Sequence, residues 1–190
     1  MKHILILGLS VILAMVSCKS SEKEIDTLSM AREYYAFLDS SEGSKMAALL
    51  GDRIVIRESQ DNYEEDFSRK EYLEWLEWDS VFEPTYNVLE IERDNGSVRA
   101  RISKLDKRIF FLQGEPMVWN EIIRFDNEKI ARVERIEYEV FNVEKFLKNR
   151  DGLVNWIAEN HPELNGFLYD QTAAGGIAYL KAIELYKNRE

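Results

Sequence analysis

The pattern of apolar and polar positions between Met117 and Tyr138 predicts two β-strands joined by a turn. Branched and aromatic residues, which favour strands, stand on both sides of the polar segment 126–129. These residues are Val118, Trp119, Ile122, Ile123, Phe125, Ile130, Val133 and Ile136. We take this predicted hairpin as the centre of the fold.

Near the N-terminus, apolar residues at helical spacing predict a helix that begins after Asp26, whose side chain can cap it. The apolar face of this helix comprises Leu28, Ala31, Tyr34, Tyr35 and Leu38. A second short helix is expected from about Ser44, with Gly51 as its left-handed closing residue. The chain then extends through residues 54–56.

The acidic segment 60–67 has no apolar period, and we interpret it as a solvated loop. Calcium is the alternative occupant, but the segment lacks the glycine and the carboxylate spacing of a calcium-binding loop. Directly after it, Ser68 and Glu71 form a capping box, which predicts a helix. The apolar stripe of that helix contains Tyr72, Leu73, Trp75, Leu76 and Trp78. Such a stripe is typical of a core, and binding is the second interpretation.

From Thr85 the pattern is again typical of strands, with apolar residues on both sides of the tight-turn sequence 94–96. We predict a second hairpin here, followed by a further apolar segment at 109–112. Helical periodicity returns after Tyr138, and Thr172 can cap a last helix.

The first residues have the form of a secretion signal: Lys2 precedes the apolar run Ile4–Val16, which is too short to span a bilayer comfortably. Cys18, the single cysteine, follows this run directly and resembles the modified cysteine of a bacterial lipoprotein. That resemblance implies acylation of Cys18, a membrane anchor, and a location on the outer membrane of a diderm bacterium, facing the periplasm or the outside. An ordinary cleaved signal or an uncleaved anchor is the alternative.

Charge and histidine content exclude several classes of partner and site. The chain has 35 acidic and 25 basic residues and a formal net charge of −10, so nucleic acid is not expected as a partner. His161 is the only histidine after the signal, which excludes a histidine-rich metal site. We expect neither a cofactor nor a metal, and the sequence contains no nucleophile motif of the Gly-x-Ser-x-Gly form.

The order of elements and the form Trp119-x-Glu121-x-x-x-Phe125-Asp126-x-x-Lys129-Ile130 resemble the nuclear transport factor 2-like (NTF2-like) superfamily, which includes polyketide cyclases and ketosteroid isomerases. The resemblance implies an α+β fold of the cystatin-like kind: a curved antiparallel sheet wrapped around N-terminal helices into a cone with an apolar pocket. The expected segments are a signal peptide (1–17), a tether (18–25), the NTF2-like domain (26–140) and a C-terminal helical extension (141–190). The extension either covers the mouth of the cone or packs outside the sheet.

Enzymes of this superfamily use an aspartate, or an aspartate and a histidine, in the pocket. The last strand has neither at 135–138, which leaves Glu121, Glu134 and Glu137 as substitutes. Our leading hypothesis is therefore a non-catalytic module that binds a small apolar ligand or a protein partner. The expected ligand-binding residues are Tyr34, Trp75, Trp78, Trp119 and Glu121. A cyclase- or isomerase-like enzyme with a buried glutamate base is the second hypothesis, and a homodimer or protein-interaction module is the third.

Overall fold

The computed structural model describes residues 26–189, so the predicted signal and the whole tether (18–25), including Cys18, lie outside the described residues. The six strands are β1 (Leu50–Glu58), β2 (Tyr63–Ser68), β3 (Thr85–Asp94), β4 (Ser97–Leu105), β5 (Met117–Asp126) and β6 (Lys129–Val140). The six helices are α1 (Thr27–Ser40), α2 (Gly43–Leu49), α3 (Arg69–Ser80), α4 (Lys107–Gln113), α5 (Val143–Asn160) and α6 (Ala173–Lys187), with a short 3₁₀ helix at Pro162–Leu164.

The strands form one curved, unclosed sheet in the order β2-β1-β6-β5-β4-β3. The predicted α+β class is confirmed, but the sheet is mixed rather than wholly antiparallel, because β1 runs parallel to β6. Register shifts interrupt several of the strand pairs, three of them between β5 and β6. Such bulges bend a strand and increase its twist, which accounts for the curvature.

Both predicted hairpins are confirmed. The β5–β6 turn places Asn127 and Glu128 at φ values of 47° and 62°, and the β3–β4 turn places Asn95 and Gly96 at 47° and 84°. Two successive residues with positive φ match the right-handed twist of the strands that they join. The capping box of α3 is present as predicted, and Asp26 caps α1 by accepting a hydrogen bond from the Ser29 N–H.

Two local expectations are corrected, and one apolar segment without a predicted element is assigned. The segment expected to be a loop at 60–67 is largely strand β2, since ion pairs across the sheet replace the missing apolar period: Arg53 with Asp66 at 2.9 Å, and Arg132 with Glu64 at 2.8 Å. The left-handed cap expected at Gly51 is absent, because strand β1 already begins at Leu50. The apolar segment 109–112 lies in helix α4, which the Asp106 side chain caps.

Two hydrophobic cores share helix α3. The larger lies between the inner face of the sheet and helices α1–α3. The smaller joins Trp78 and Phe82 to apolar residues of the C-terminal part, which are Leu153, Ile157, Phe167, Tyr179, Ala182 and Ile183. The extension therefore packs on α3 and α4, with α6 against α3 and α5 against α4. None of the helices within residues 26–189 combines the length and the apolar character needed to cross a membrane.

Candidate functional site

A cavity of about 160 Å³ lies between the inner face of the sheet and helices α1 and α3. Its walls are mainly aromatic and aliphatic, with a few polar groups that converge on the interior. The lining residues are Tyr34, Leu38, Ile56, Glu58, Tyr63, Glu65, Phe67, Tyr72, Trp75, Tyr86, Trp119, Glu121, Val133, Arg135 and Gln171. Such a lining is typical of a small-molecule site.

The most deeply buried acidic residue of this wall is Glu121, which is 3% exposed. Side chains alternate along β5, so Trp119, Glu121 and Ile123 share the inner face of the sheet. The Tyr35 hydroxyl donates a hydrogen bond to Glu121 Oε1 at 2.7 Å, and the Trp119 indole N–H donates to Oε2 at 2.5 Å. Two fixed donors therefore hold the carboxylate in one orientation.

Two tyrosine hydroxyls lie in the same interior. The oxygens of Tyr34 on α1 and Tyr72 on α3 are 2.6 Å apart. Burial raises the pKa of both side chains well above the ordinary tyrosine value, and neighbouring negative charge, including that of Glu121, acts in the same direction. The hydroxyls therefore stay neutral at physiological pH, where one of them can donate a hydrogen bond.

Arg135 on β6 forms the polar edge of the cavity. Its Nη1 atom lies 2.5 Å from Glu58 Oε1, and the Tyr138 hydroxyl donates to the other oxygen of Glu58 at 3.2 Å. The guanidinium also lies over the Trp119 ring, 4.9 Å from its centroid. Its Nε atom lies 3.9 Å from Glu121 Oε2, so one cation contacts both acidic residues.

The structure brings together four of the five residues that the sequence proposed for ligand binding. Tyr34, Trp75, Trp119 and Glu121 line the cavity. Trp78 does not, because its ring packs edge-to-face on Phe82 at 5.0 Å in the smaller core. Trp75 and Trp78 stand one helical step apart on α3, but only Trp75 reaches the cavity.

The other candidate glutamates lie away from the cavity. Glu134 is within 3.5 Å of both Arg57 and Arg124, and Glu137 is exposed. Sequence reasoning missed Tyr72, Glu58 and Arg135 as wall residues. A signal for Arg135 was available, since it stands two residues after the inward-facing Val133 on the same strand. In the part of the chain that the structure describes, no group of three metal-ligating side chains occurs.

Comparison with solved structures finds proteins of the same architecture. A protein from Kribbella flavida DSM 17836 superposes with a TM-score of 0.50 and 12% identity, over 66% of this chain and 96% of that chain. An NTF2-like protein from Cytophaga hutchinsonii ATCC 33406 gives a TM-score of 0.48 at 9% identity, over 62% and 94% of the two chains. A protein with a ketosteroid isomerase-like fold from Catenulispora acidiphila DSM 44928 gives 0.49 at 9% identity, over 65% and 92%.

These similarities concern the fold alone, an α+β architecture with a curved, unclosed sheet of the kind that the sequence resemblance implied. At 12% identity or less they carry no activity over to this chain. No protein-family model and no curated protein matches the sequence.

Proposed function

We propose that this NTF2-like domain binds a small, mainly apolar ligand with one hydrogen-bonding group in the cavity between the sheet and α1 and α3. The observation that carries the proposal is a preformed cavity of about 160 Å³ whose aromatic walls surround a few polar groups. An apolar cavity of about 150 Å³ accommodates benzene. A six-membered ring bearing a hydroxyl or carbonyl group is therefore the expected size and chemistry.

The polar groups favour binding over catalysis. Both oxygens of Glu121 already accept hydrogen bonds from protein donors, which suits a side chain that orients its neighbours. The hydroxyls of Tyr34 and Tyr72 pair with each other and can exchange one of these contacts for a ligand oxygen. The cavity can thus present a neutral donor at one end and apolar surface elsewhere.

The test uses the indole N–H of Trp119, a cavity residue, as a reporter in a ¹⁵N-resolved NMR titration of the full chain with benzyl alcohol and cyclohexanol. We expect this signal to shift and saturate. Ile56→Phe adds a ring at the cavity wall and should abolish the shift. Its matched control is Ile122→Phe, which makes the same change outside the cavity lining and should leave the shift intact. An unresponsive Trp119 in the wild type, or an undiminished response in Ile56→Phe, would refute the proposal.

A second candidate function is proton transfer next to a carbonyl group, favoured by one observation: the cavity wall contains a buried glutamate. General-base catalysis needs a positioned group within hydrogen-bond reach of the proton that it removes. Hydrogen–deuterium exchange at the α-carbon of cyclohexanone distinguishes the two functions. An enzyme would accelerate this exchange in heavy water and lose the acceleration in Glu121→Gln, whereas a binding module leaves the exchange at the buffer rate.

We further propose that the domain is held at the cell envelope through an acylated Cys18. The support is the sequence, in which a lone cysteine directly follows a short apolar run behind Lys2. Intact-mass measurement of the full chain, extracted from membranes of a diderm host, should show cleavage before Cys18 and the added mass of acyl chains. Cys18→Ser should remove that mass and release the protein from the membrane fraction. An unmodified Cys18 in the membrane-extracted protein would contradict the anchor.

A further inference from the structure

A groove of about 520 Å³ lies beside the cavity and shares Trp75, Trp119 and Arg135 with its wall. Its other side comes from Arg108 at the start of α4 and from Arg150 on α5, a helix of the C-terminal extension. The extension thus adds to the NTF2-like domain a surface that combines aromatic rings with guanidinium groups.

Arg108 is the unusual residue of this groove. Only 22% of its side chain is exposed, yet within residues 26–189 none of its N–H groups donates a hydrogen bond to a protein acceptor, and its Nε atom is fully buried. The nearest carboxylate oxygen, Asp106 Oδ2, is 3.5 Å away and equally distant from Lys104. A guanidinium presents five donors in a planar fork, and buried donors without acceptors are costly. Arg108 therefore has unused capacity for a planar, two-oxygen acceptor.

The surroundings of Arg108 fix its orientation. The guanidinium lies 4.7 Å from the ring centroid of Trp78 and 5.1 Å from that of Phe82, so aromatic packing fixes its position together with the 3.5 Å ion pair to Asp106. Trp78 itself is 7% exposed, and its indole N–H has no acceptor among the described residues. Both residues line the same groove, which places two buried, unpaired donors around it.

We infer that this groove binds an organic carboxylate with an apolar body, whose oxygens accept hydrogen bonds from Arg108 and whose body packs on the aromatic wall. The donors match the two coplanar oxygens of a carboxylate. We expect the ligand to carry a single negative charge, because Glu58 and Asp61 also line the groove and their acidic groups disfavour a dianion such as phosphate. This inference concerns the groove and does not depend on what occupies the cavity.

The experiment compares 3-phenylpropanoate with its neutral analogue 3-phenylpropan-1-ol, using calorimetry and the indole N–H signal of Trp78 in the full chain. We expect the carboxylate to bind about 10- to 100-fold more tightly, since hydrogen bonds to charged groups stabilise more than neutral ones. The Trp78 signal should shift when the carboxylate binds. Sodium chloride should weaken the binding of the carboxylate but not the binding of the alcohol. Equal affinity of the two compounds would overturn the inference.

Arginine variants test whether Arg108 causes the preference for the carboxylate. Arg108→Met keeps an unbranched apolar stem without the guanidinium and should remove most of the preference for the carboxylate. Arg124→Met, which changes an exposed arginine outside the groove, should retain it. If Arg108→Met does not fold, Arg150→Met serves as the second variant and should reduce the preference severalfold. An unchanged preference in the folded groove variants would refute the assignment.

A competition with phosphate and a comparison of two NMR signals distinguish carboxylate binding in the groove from its alternatives. Inorganic phosphate that displaced 3-phenylpropanoate at equal concentration would show a general oxyanion site and would overturn the specificity for carboxylate. Trp119 lines both the cavity and the groove, so two other signals keep the proposals distinct: the methyl signal of Ile56 reports on the cavity, and the indole signal of Trp78 reports on the groove. With 3-phenylpropanoate, a Trp78 response without an Ile56 response supports the groove alone, and an Ile56 response without a Trp78 response overturns the groove while the binding function stands.

Discussion

The hydroxyl oxygens of Tyr34 and Tyr72 are 2.6 Å apart and, among residues 26–189, each is the other's hydrogen-bond partner. The pair links α1 to α3 directly beside the cavity, across 38 positions of the sequence. Since both side chains are buried, neither hydroxyl can turn to bulk water when its partner is lost. The pair is therefore a sensitive probe of the interior.

We predict that Tyr34→Phe and Tyr72→Phe each destabilise the protein by about 1–3 kcal/mol, because each leaves one buried hydroxyl unpaired. The double variant should cost less than the sum of the single variants, since it removes both partners. Urea unfolding measures the three free energies. Tyr169→Phe, at a position that is 84% exposed, is the control and should change little. Strict additivity would show that the two hydroxyls do not interact.

Glu121→Gln should lower the free energy of unfolding by about 1–3 kcal/mol, because an amide keeps one acceptor and places a donor against Tyr35 or Trp119. Glu137→Gln makes the same change at an exposed position of β6 and should stay within about 0.5 kcal/mol of the wild type. Chemical denaturation of the two variants checks the difference. Equal stabilities would mean that the hydrogen bonds of Glu121 add nothing to the fold.

Asp79 should make stability depend on pH at the acidic end. Its carboxylate is fully buried, contacts Lys104 Nζ at 2.5 Å and accepts a hydrogen bond from the Tyr86 hydroxyl at 3.0 Å. Burial alone raises the pKa of Asp79, but the charges of Lys104 and Arg108 outweigh burial and hold the pKa below its ordinary value of 3.8. The unfolded chain therefore binds the proton first as pH falls, and the stabilisation is lost below about pH 4.

We predict that Asp79→Asn costs about 3–5 kcal/mol at neutral pH, as expected when one partner of a buried ion pair is removed. The difference from the wild type should be constant above about pH 5 and shrink as pH falls below 3.8. Urea midpoints measured from pH 7 to pH 2 test this. Asp52→Asn, whose side chain is 97% exposed, should cost less than about 1 kcal/mol. A pH-independent difference would exclude the Asp79 carboxylate as the titrating group.

Gly175→Ala should destabilise the docking of α6 by about 1–3 kcal/mol. An added Cβ at this position would overlap the carbonyl oxygen and the side chain of Asp170, so the segment before the helix has to shift. The matched control is Gly43→Ala, where the nearest atom is 4.0 Å from the added Cβ, and it should be neutral or slightly stabilising. Thermal unfolding of both variants gives the comparison; a neutral Gly175→Ala would mean that the close approach relaxes without cost.

Local signals in the sequence were sufficient for the hairpins, the capping box of α3 and the resemblance to the NTF2-like fold. Each depends on residues within a few positions of one another, such as Ser68 and Glu71. Strand β2 was missed because ion pairs with partners on β1 and β6 replace apolar alternation there. The parallel contact of β1 with β6 was equally inaccessible, since Leu50 pairs with Ile130 and no local pattern connects them.

Some residues of the candidate site could likewise be predicted from the sequence, and others could not. Tyr34 and Trp119 were proposed as aromatic walls of an apolar pocket, and Glu121 as one of the glutamates that could replace the aspartate of the superfamily's enzymes. Arg108 and Trp78 could not be assigned to a groove, because that groove exists only where the C-terminal helices meet α3 and α4. The placement of those helices depends on contacts between residues far apart in the chain.

The position of β1 next to β6 has a consequence for the order of folding. The β1–β2 hairpin attaches to the rest of the sheet through β6 alone, so its docking must close a loop of about 80 residues. In a nascent chain that ends before Lys129, the β1–β2 hairpin packs on α3 but has no neighbouring strand, and sheets of two strands are weakly stable in water. At that stage Val133 and Arg135 have not been synthesised, so the wall of the cavity is completed late in synthesis. Slow, high-contact-order folding is the expected kinetic signature of this fold.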